Sequence, residues 1–469
     1  MKMSRTVRII TLGCAKNEVD TEEIAGVLAR AGYRVDSSVR HPDVTVINTC
    51  GFLASAREEG LEVIRRAIRD KQAGKTGCVV VAGCLAQRYG ERMVEMAPGA
   101  DAYVGVGQMG RFAEILERTL AKTGSEALVE IGPPRHHWAE VVSRARSSNP
   151  WTAYLKISEG CDHRCAFCTI PSFRGRHTSK PLERILEEAR YLVKTGAREI
   201  NLVAQDTTQY GYDLYGEFSL PRLLGALNGV EGLVWLRVLY FYPSRLHSRV
   251  IEALSTLNKV VPYIDIPLQH AHPEILRKMR RPGDGEKYLR LLQRLRQAIP
   301  EVAVRTTFIV GFPGETEEHF GYLLDFLREA KFDRVGAFLY SREEGTPSYS
   351  YPEQVPEEIK VQRYRQLMET QQAISRDLQA RWVGRKMEVL VEGLAEFSEN
   401  GKRERGVVGR SYRDAPEVDG VVYLRGRAQP GDFVEAEITG STEYDLVGEV
   451  RSITRPFPWG KRLRLAGQK

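Results

Sequence analysis

Between residues 151 and 345 a strand-length apolar run followed by an amphipathic helix recurs six times. The periodicity predicts strands at Ala153–Ile157, Glu199–Ala204, Val234–Tyr240, Pro262–Pro267, Ala303–Val310 and Arg334–Leu339, with helices such as Leu182–Lys194 and Thr316–Ala330 between them. Strands separated by helices pair in parallel, and six such units imply a partial (β/α)6 barrel with its chemistry on the loops after the strands. Residues 1–140 show a shorter alternation. Predicted strands Val7–Leu12, Val44–Asn48 and Cys78–Ala82 are followed by helices Glu18–Ala31, Ala54–Ala73 and Gln87–Met96, which implies a doubly wound parallel α/β domain. Residues 132–150 read as a linker, and a polar helix over 355–382 leads to short alternating strands at Met387–Val391, Val421–Leu424, Phe433–Ile438 and Val447–Val450. The expected order is therefore an α/β domain at 1–140, the barrel at 147–383, a small antiparallel β-barrel at 384–453 and a basic tail at 454–469.

The seven cysteines divide as three, three and one. Cys161, Cys165 and Cys168 lie in one loop directly after the first barrel strand, in the run Ser-Glu-Gly-Cys161-Asp-His-Arg-Cys165-Ala-Phe-Cys168. A cubane iron–sulfur cluster takes four thiolates and a closed zinc site takes four ligands. Three cysteines at C-x3-C-x2-C leave one metal position open to a small molecule. The competing reading is a zinc site completed by His163 or His177. Cys14, Cys50 and Cys84 each end a predicted strand, about 35 residues apart. Groups at the carboxyl ends of strands in an open α/β sheet converge on one edge, so these three meet in space unless they are unrelated core cysteines. Cys78 starts its strand and belongs to the core.

A chain of 469 residues buries a core without disulfides, and two thiolate triads imply a reducing compartment. The N-terminus lacks a signal-peptide pattern and no apolar run reaches the ~20 residues of a membrane span, so the expectation is a cytoplasmic protein with no membrane contact. Gly105-Val-Gly107-Gln-Met-Gly110 matches a dinucleotide fingerprint but comes late in its domain, which favours a plain strand-to-helix turn. The net charge is +7, and residues 451–469 hold Arg451, Arg455, Lys461, Arg462, Arg464 and Lys469 with no acidic residue. With Phe457 and Trp459 interleaved, this segment reads either as a contact for ribosomal RNA or as a solvated tail.

Leu12-Gly-Cys14-Ala-Lys-Asn17, Asn48-Thr-Cys50-Gly-Phe52, Gly83-Cys84-Leu-Ala-Gln-Arg88 and the Cys161/Cys165/Cys168 loop together resemble the methylthiotransferase family of radical S-adenosylmethionine (SAM) enzymes. The resemblance covers nearly the whole chain. It implies an N-terminal domain with an auxiliary cluster, a radical SAM barrel and a C-terminal TRAM domain. It also implies two 4Fe-4S clusters and SAM as cofactors. The Cys161, Cys165 and Cys168 cluster would cleave SAM to an adenosyl radical, and the Cys14, Cys50 and Cys84 cluster would deliver the sulfur. Phe167 lies where the superfamily packs adenine. Gln205, Arg237, Gln269, Arg305, Ile309 and Gly311 are further candidates for SAM contact, each open to a plain structural reading. Gln205–Tyr215, Leu239–Pro243, Asp265–His270, Met279–Pro282 and Asp414–Tyr423 resemble the branch that modifies the β-carbon of an aspartate in ribosomal protein S-twelve of the small ribosomal subunit. A reducing partner such as flavodoxin or ferredoxin is implied, while no sulfur donor is. The alternatives are a tRNA adenosine methylthiotransferase and a non-catalytic iron–sulfur protein that binds RNA or the ribosome.

Overall fold

A computed structural model describes residues 5–134, 138, 144–146, 149–399 and 402–458. The first six strands are β1 Thr6–Thr11, β2 Arg34–Val35, β3 Val44–Thr49, β4 Cys78–Gly83, β5 Ala102–Val104 and β6 Leu128–Glu130. They form one parallel sheet in the order β2-β1-β3-β4-β5-β6. The alternation of β4 shows why helices cover both faces. Val80 and Ala82 pack with Ile24, Leu28, Phe112 and Leu116, whereas Val79 and Val81 pack with Leu61, Ile64 and Met93 on the other side. The expected helix Gln87–Met96 is two, Cys84–Tyr89 and Arg92–Met96, parted at Gly90 with φ 54°. Gly105 leads from β5 into a 3-10 turn over Val106–Arg111, as a plain strand-to-helix turn requires.

The barrel begins with β7 Thr152–Lys156 and a short antiparallel pair, β8 Ser158–Glu159 with β9 Thr178–Ser179. It continues through β10 Glu199–Val203, β11 Trp235–Val238, β12 Tyr263–Gln269, β13 Ala303–Val310 and β14 Arg334–Leu339. Two parallel ladders, β11-β10-β7 and β12-β13-β14, are joined by a single bridge from Leu236 to Val260. The six strands are therefore those expected, arranged as an open barrel around a core that includes Leu155, Ile200, Leu236, Ile264, Val304 and Phe308.

The helix Glu357–Ala380 leads to a closed barrel of β15 Lys386–Glu399, β16 Lys402–Ser411, β17 Val422–Arg425, β18 Phe433–Ser441 and β19 Leu446–Arg455. It differs from the expectation in two respects. β16 is an added strand with no sequence signal, because its first half is charged and its hairpin with β15 projects beyond the core, leaving Leu394 76% exposed. The barrel is also not wholly antiparallel, since β17 pairs with β19 in parallel.

In the described part of the basic segment, both arginines are paired and the aromatic ring is packed. Arg451 pairs with Glu437 and Glu449 within the barrel, and Arg455 pairs with Glu388. Phe457 is buried edge-on against Trp151 and is not free to stack on a base. Trp459, Lys461, Arg462, Arg464 and Lys469 lie outside the described residues.

Buried ion pairs join the first domain to the barrel. Lys156 bridges Asp20 and Glu159, Arg174 does the same from the other side, and Arg144 joins Glu22 to Glu188. These contacts dock the helix Ala15–Arg30 against β7, so the carboxyl edge of the sheet faces the barrel mouth.

Candidate active site

The first sheet reverses its winding between β1 and β3, and loops after these strands part to leave a crevice. Cys14 follows β1, Cys50 follows β3 and Cys84 follows β4. Their approach depends on glycine. Gly13 has φ 101°, and a Cβ there would lie 2.7 Å from the Cys50 Cβ. Gly83 has φ 97°, and a Cβ would lie 2.3 Å from Asn48 Oδ1. Asn17 ties the loops together, its Nδ2 donating to the carbonyls of Leu12 (2.8 Å) and Thr49 (3.1 Å).

Both cysteine triads line one cavity of about 380 Å3 between the first domain and the barrel mouth. Phe167, Gln205, Gln269 and Ile309 line it too. Gln205 Nε2 donates to Glu159 Oε2 at 3.0 Å. Gln269 sits at an irregularity in the β12–β13 ladder with φ 74°, and Tyr240 after β11 has φ 63°. Non-glycine residues held at positive φ gather where a site is over-determined by its surroundings.

Three candidates lie elsewhere. Arg237 is buried in a pair with Glu199 and donates to the Tyr412 carbonyl at 2.7 Å. Arg305 pairs with Asp265 and Asp419. Both hold the C-terminal barrel's docking loop rather than the cavity. Gly311 donates its N–H to the Glu315 carboxylate at 3.0 Å and packs under Lys360, away from the cavity wall. In each case a polar or turn residue on a barrel strand is satisfied by an internal partner, a distinction that strand position alone does not make.

Arg174, Arg281 and Lys16 line the cavity without being site candidates in the sequence, and His163, a candidate zinc ligand there, lines it too. Arg174 donates to Cys84 Sγ at 3.2 and 3.0 Å while paired to Asp20 and Glu159. Arg281 sits over the Tyr242 ring, 4.3 Å from its centroid, with Nη1 3.9 Å from Cys165 Sγ. His163 stacks on Tyr242 and bonds Asp206 through Nε2 at 2.7 Å. Lys16 reaches from the first domain to the barrel. Lys16 stands inside the Leu12–Asn17 motif, two residues past Cys14. Arg174 had no local signal, because its partners are scattered over the chain.

Burial pushes the Cys84 and Cys161 thiols up to about 12 and raises Cys50 and Cys168 as well. Such groups are held as thiols until a metal displaces the proton. The donor set fits a cluster better than a single ion. Tetrahedral zinc with Zn–S of about 2.3 Å needs its ligands close together. Among the described residues, the sole group of three ligand-bearing side chains whose donor atoms all lie within 4.8 Å is His272, Glu274 and His319. Neither triad meets that spacing. His163 is engaged by Asp206 and His177 by Ser179 at 3.1 Å.

Comparison with known proteins agrees with this arrangement. The Radical SAM superfamily matches residues 155–327, Uncharacterized protein family UPF0004 matches 6–105, and the TRAM domain matches 383–450. The Moorella thermoacetica protein named Ribosomal protein uS12 methylthiotransferase RimO is 46% identical over 447 residues, covering 95% of this chain and 99% of the relative. The chain belongs to the RimO methylthiotransferase family. A RimO relative from Geobacter sulfurreducens is 44% identical over 95% of this chain and 98% of its own. Among solved structures, the radical SAM methyltransferase TsrM from Kitasatospora setae, with tryptophan and a SAM analog bound, aligns over 85% of this RimO-family chain and 79% of its own. Its TM-score is 0.57 at 16% identity, a likeness of fold.

Proposed function

We propose that this chain adds a methylthio group to the β-carbon of an aspartate in ribosomal protein uS12. The observation that carries the reading is the meeting of both cysteine triads in one cavity. Cys161, Cys165 and Cys168 are the residues to hold one 4Fe-4S cluster, and Cys14, Cys50 and Cys84 a second, each with one iron open. When bound, the clusters and SAM supply a hydrogen-abstracting radical and a transferable sulfur, chemistry that an unactivated C–H bond requires and a side-chain base cannot perform. The protein's own contribution is position and charge. Arg174 and Arg281 place cationic donors beside Cys84 and Cys165. Phe167, Ile309 and Phe338 give the cavity an apolar wall, and Gln205 and Gln269 present polar groups at its rim for SAM.

No helix among the described residues is long and apolar enough to cross a membrane. With a ribosomal substrate this supports action in the cytoplasm, with a flavodoxin- or ferredoxin-like reductant and with ribosomal RNA near the C-terminal segment. The test is anaerobic reconstitution, then incubation with SAM, sulfide and a reductant, followed by mass spectrometry of uS12 and of tRNA. The expected result is a gain of about 46 mass units on one uS12 aspartate. Replacing Cys14, Cys50 and Cys84 by Ala leaves SAM cleavage intact and removes that product. Methylthioadenosine in tRNA with unmodified uS12 would overturn the reading.

A further inference from the structure

The cavity holds three long cations, and their partners differ. Arg174 is neutralised by Asp20 and Glu159. Arg281 is turned to Cys165 and to the Pro267 carbonyl. Lys16, like Arg281, has no carboxylate in an ion pair, and its polar contacts are the weaker of the two. Its ammonium lies 3.6 Å from the centre of the Tyr240 ring and reaches the Ala204 carbonyl at 3.4 Å. Among the described residues no carboxylate forms an ion pair with it. An ammonium carries three donors, and one long bond plus one ring face leave it incompletely engaged. With Glu159 acting on it only from beyond contact distance, this half-buried cation keeps open donors that a ligand's anion can fill.

The position of Lys16 is as telling as its charge. It leaves the first domain two residues after Cys14 and ends over the carboxyl ends of β10 and β11, so it crosses the cavity from one triad's domain to the other's. Its seat is built. Tyr240 is held at φ 63°, with its backbone N–H donating to Asp265 Oδ2 at 3.0 Å, which turns the ring under the ammonium.

Resting on the uS12 reading, we propose that Lys16 receives the side-chain carboxylate of the target aspartate and so selects aspartate as the residue to be modified. The carboxyl carbon is bonded directly to the β-carbon. A cation that grips the carboxylate therefore fixes the reacting carbon within one bond, between the two triads. A neutral amide at the same place gains no ion pair and offers the Lys16 donors one acceptor oxygen instead of two.

The experiment uses the full-length reconstituted enzyme and two recombinant uS12 proteins, one with Asp and one with Asn at the modified position. Binding is read by fluorescence anisotropy, product by mass spectrometry and cluster content by iron assay, for the wild type, Lys16→Met and Lys16→Arg. The wild type should prefer Asp by roughly ten- to hundredfold in binding and in kcat/KM. Lys16→Met should bind the two proteins equally while keeping its iron, and Lys16→Arg should restore most of the preference. An unchanged Asp preference in Lys16→Met would overturn the assignment while leaving the uS12 reading intact. Loss of about half the iron in Lys16→Met would also overturn it, making Lys16 a support of the auxiliary cluster. A wild type that leaves uS12 unmodified and modifies tRNA removes the uS12 reading and this assignment together.

Discussion

Gly13 shows how much of a metal centre rests on a residue with no side chain. Its φ of 101° and the 2.7 Å approach to the Cys50 Cβ mean that any Cβ is excluded twice, by backbone strain and by collision. Gly13→Ala should cost about 1–2 kcal/mol in strain and, more tellingly, separate Cys14 from Cys50. Reconstituted iron should fall from about eight to about four per chain, with SAM cleavage retained. Iron analysis and a urea titration check the two effects separately. Full iron content in the variant would mean that the loops approach without the glycine. Cys78 makes the contrasting case. It shares burial and a thiol raised to about 12 with Cys84, but it stands at the other end of β4, in the core and distant from any partner thiol.

At the scale of elements, the junction between β10, β11 and the C-terminal barrel is electrostatic and buried. Glu199 is wholly buried and bonds Arg410 and Arg237. Burial alone would raise its carboxyl, but Arg410 and then Arg237 override it and hold the group down at about 2. A carboxyl depressed in the folded state stabilises it fully above its ordinary value near 4.5, and that contribution is lost as pH falls toward 2. The stake is on the order of 3 kcal/mol. The urea midpoint of the wild type should drop between pH 5 and pH 3, and Glu199→Gln should flatten that dependence. The variant should already be weaker by about 3–5 kcal/mol at pH 7, because it leaves Arg237 buried without its carboxylate and Arg410 with Glu392 alone. An acid limb as steep in Glu199→Gln as in the wild type would assign acid sensitivity to other pairs, such as Arg334 with Asp414.

For the molecule as a whole, the C-terminal segment separates a packing role from a charge role. Phe457 is anchored, with its N–H donating to Asp432 Oδ1 at 2.6 Å and its ring against Trp151. A cut before it should destabilise the C-terminal barrel by about 3–5 kcal/mol, as for a buried aromatic truncated to nothing. A cut after Pro458 removes residues 459–469, with Trp459 and the cations Lys461, Arg462, Arg464 and Lys469. That shorter truncation should leave the unfolding midpoint unchanged and weaken binding to ribosomal particles most at low salt. The slope of log affinity against log salt should become shallower by up to about 3–4 units if all four cations meet phosphate. Binding to isolated uS12 should change little. An unaltered salt slope would remove RNA contact from this segment.

The strand-plus-helix alternation and the two cysteine spacings were legible in the linear chain because each is local. Periodicity of 2 or 3.6 residues marks an element, and C-x3-C-x2-C needs no distant partner to be read. All six barrel strands, the three strand-end cysteines and the core place of Cys78 follow from that local information. The charged half of β16 carries no strand signal because its hairpin leaves the core and loses the alternation that marks a strand. The parallel pairing of β17 with β19 was equally hidden, since pairing direction depends on how the barrel closes. The sorting of the cavity's polar groups was decided by tertiary structure alone. Arg237 and Arg305 look like mouth residues until Glu199, Asp265 and Asp419 claim them. Arg174 looks like a surface cation until Cys84, 90 positions away, comes within 3.0 Å. Whether a charge is satisfied depends on groups brought near by folding, and the order of residues along the chain carries no record of that proximity.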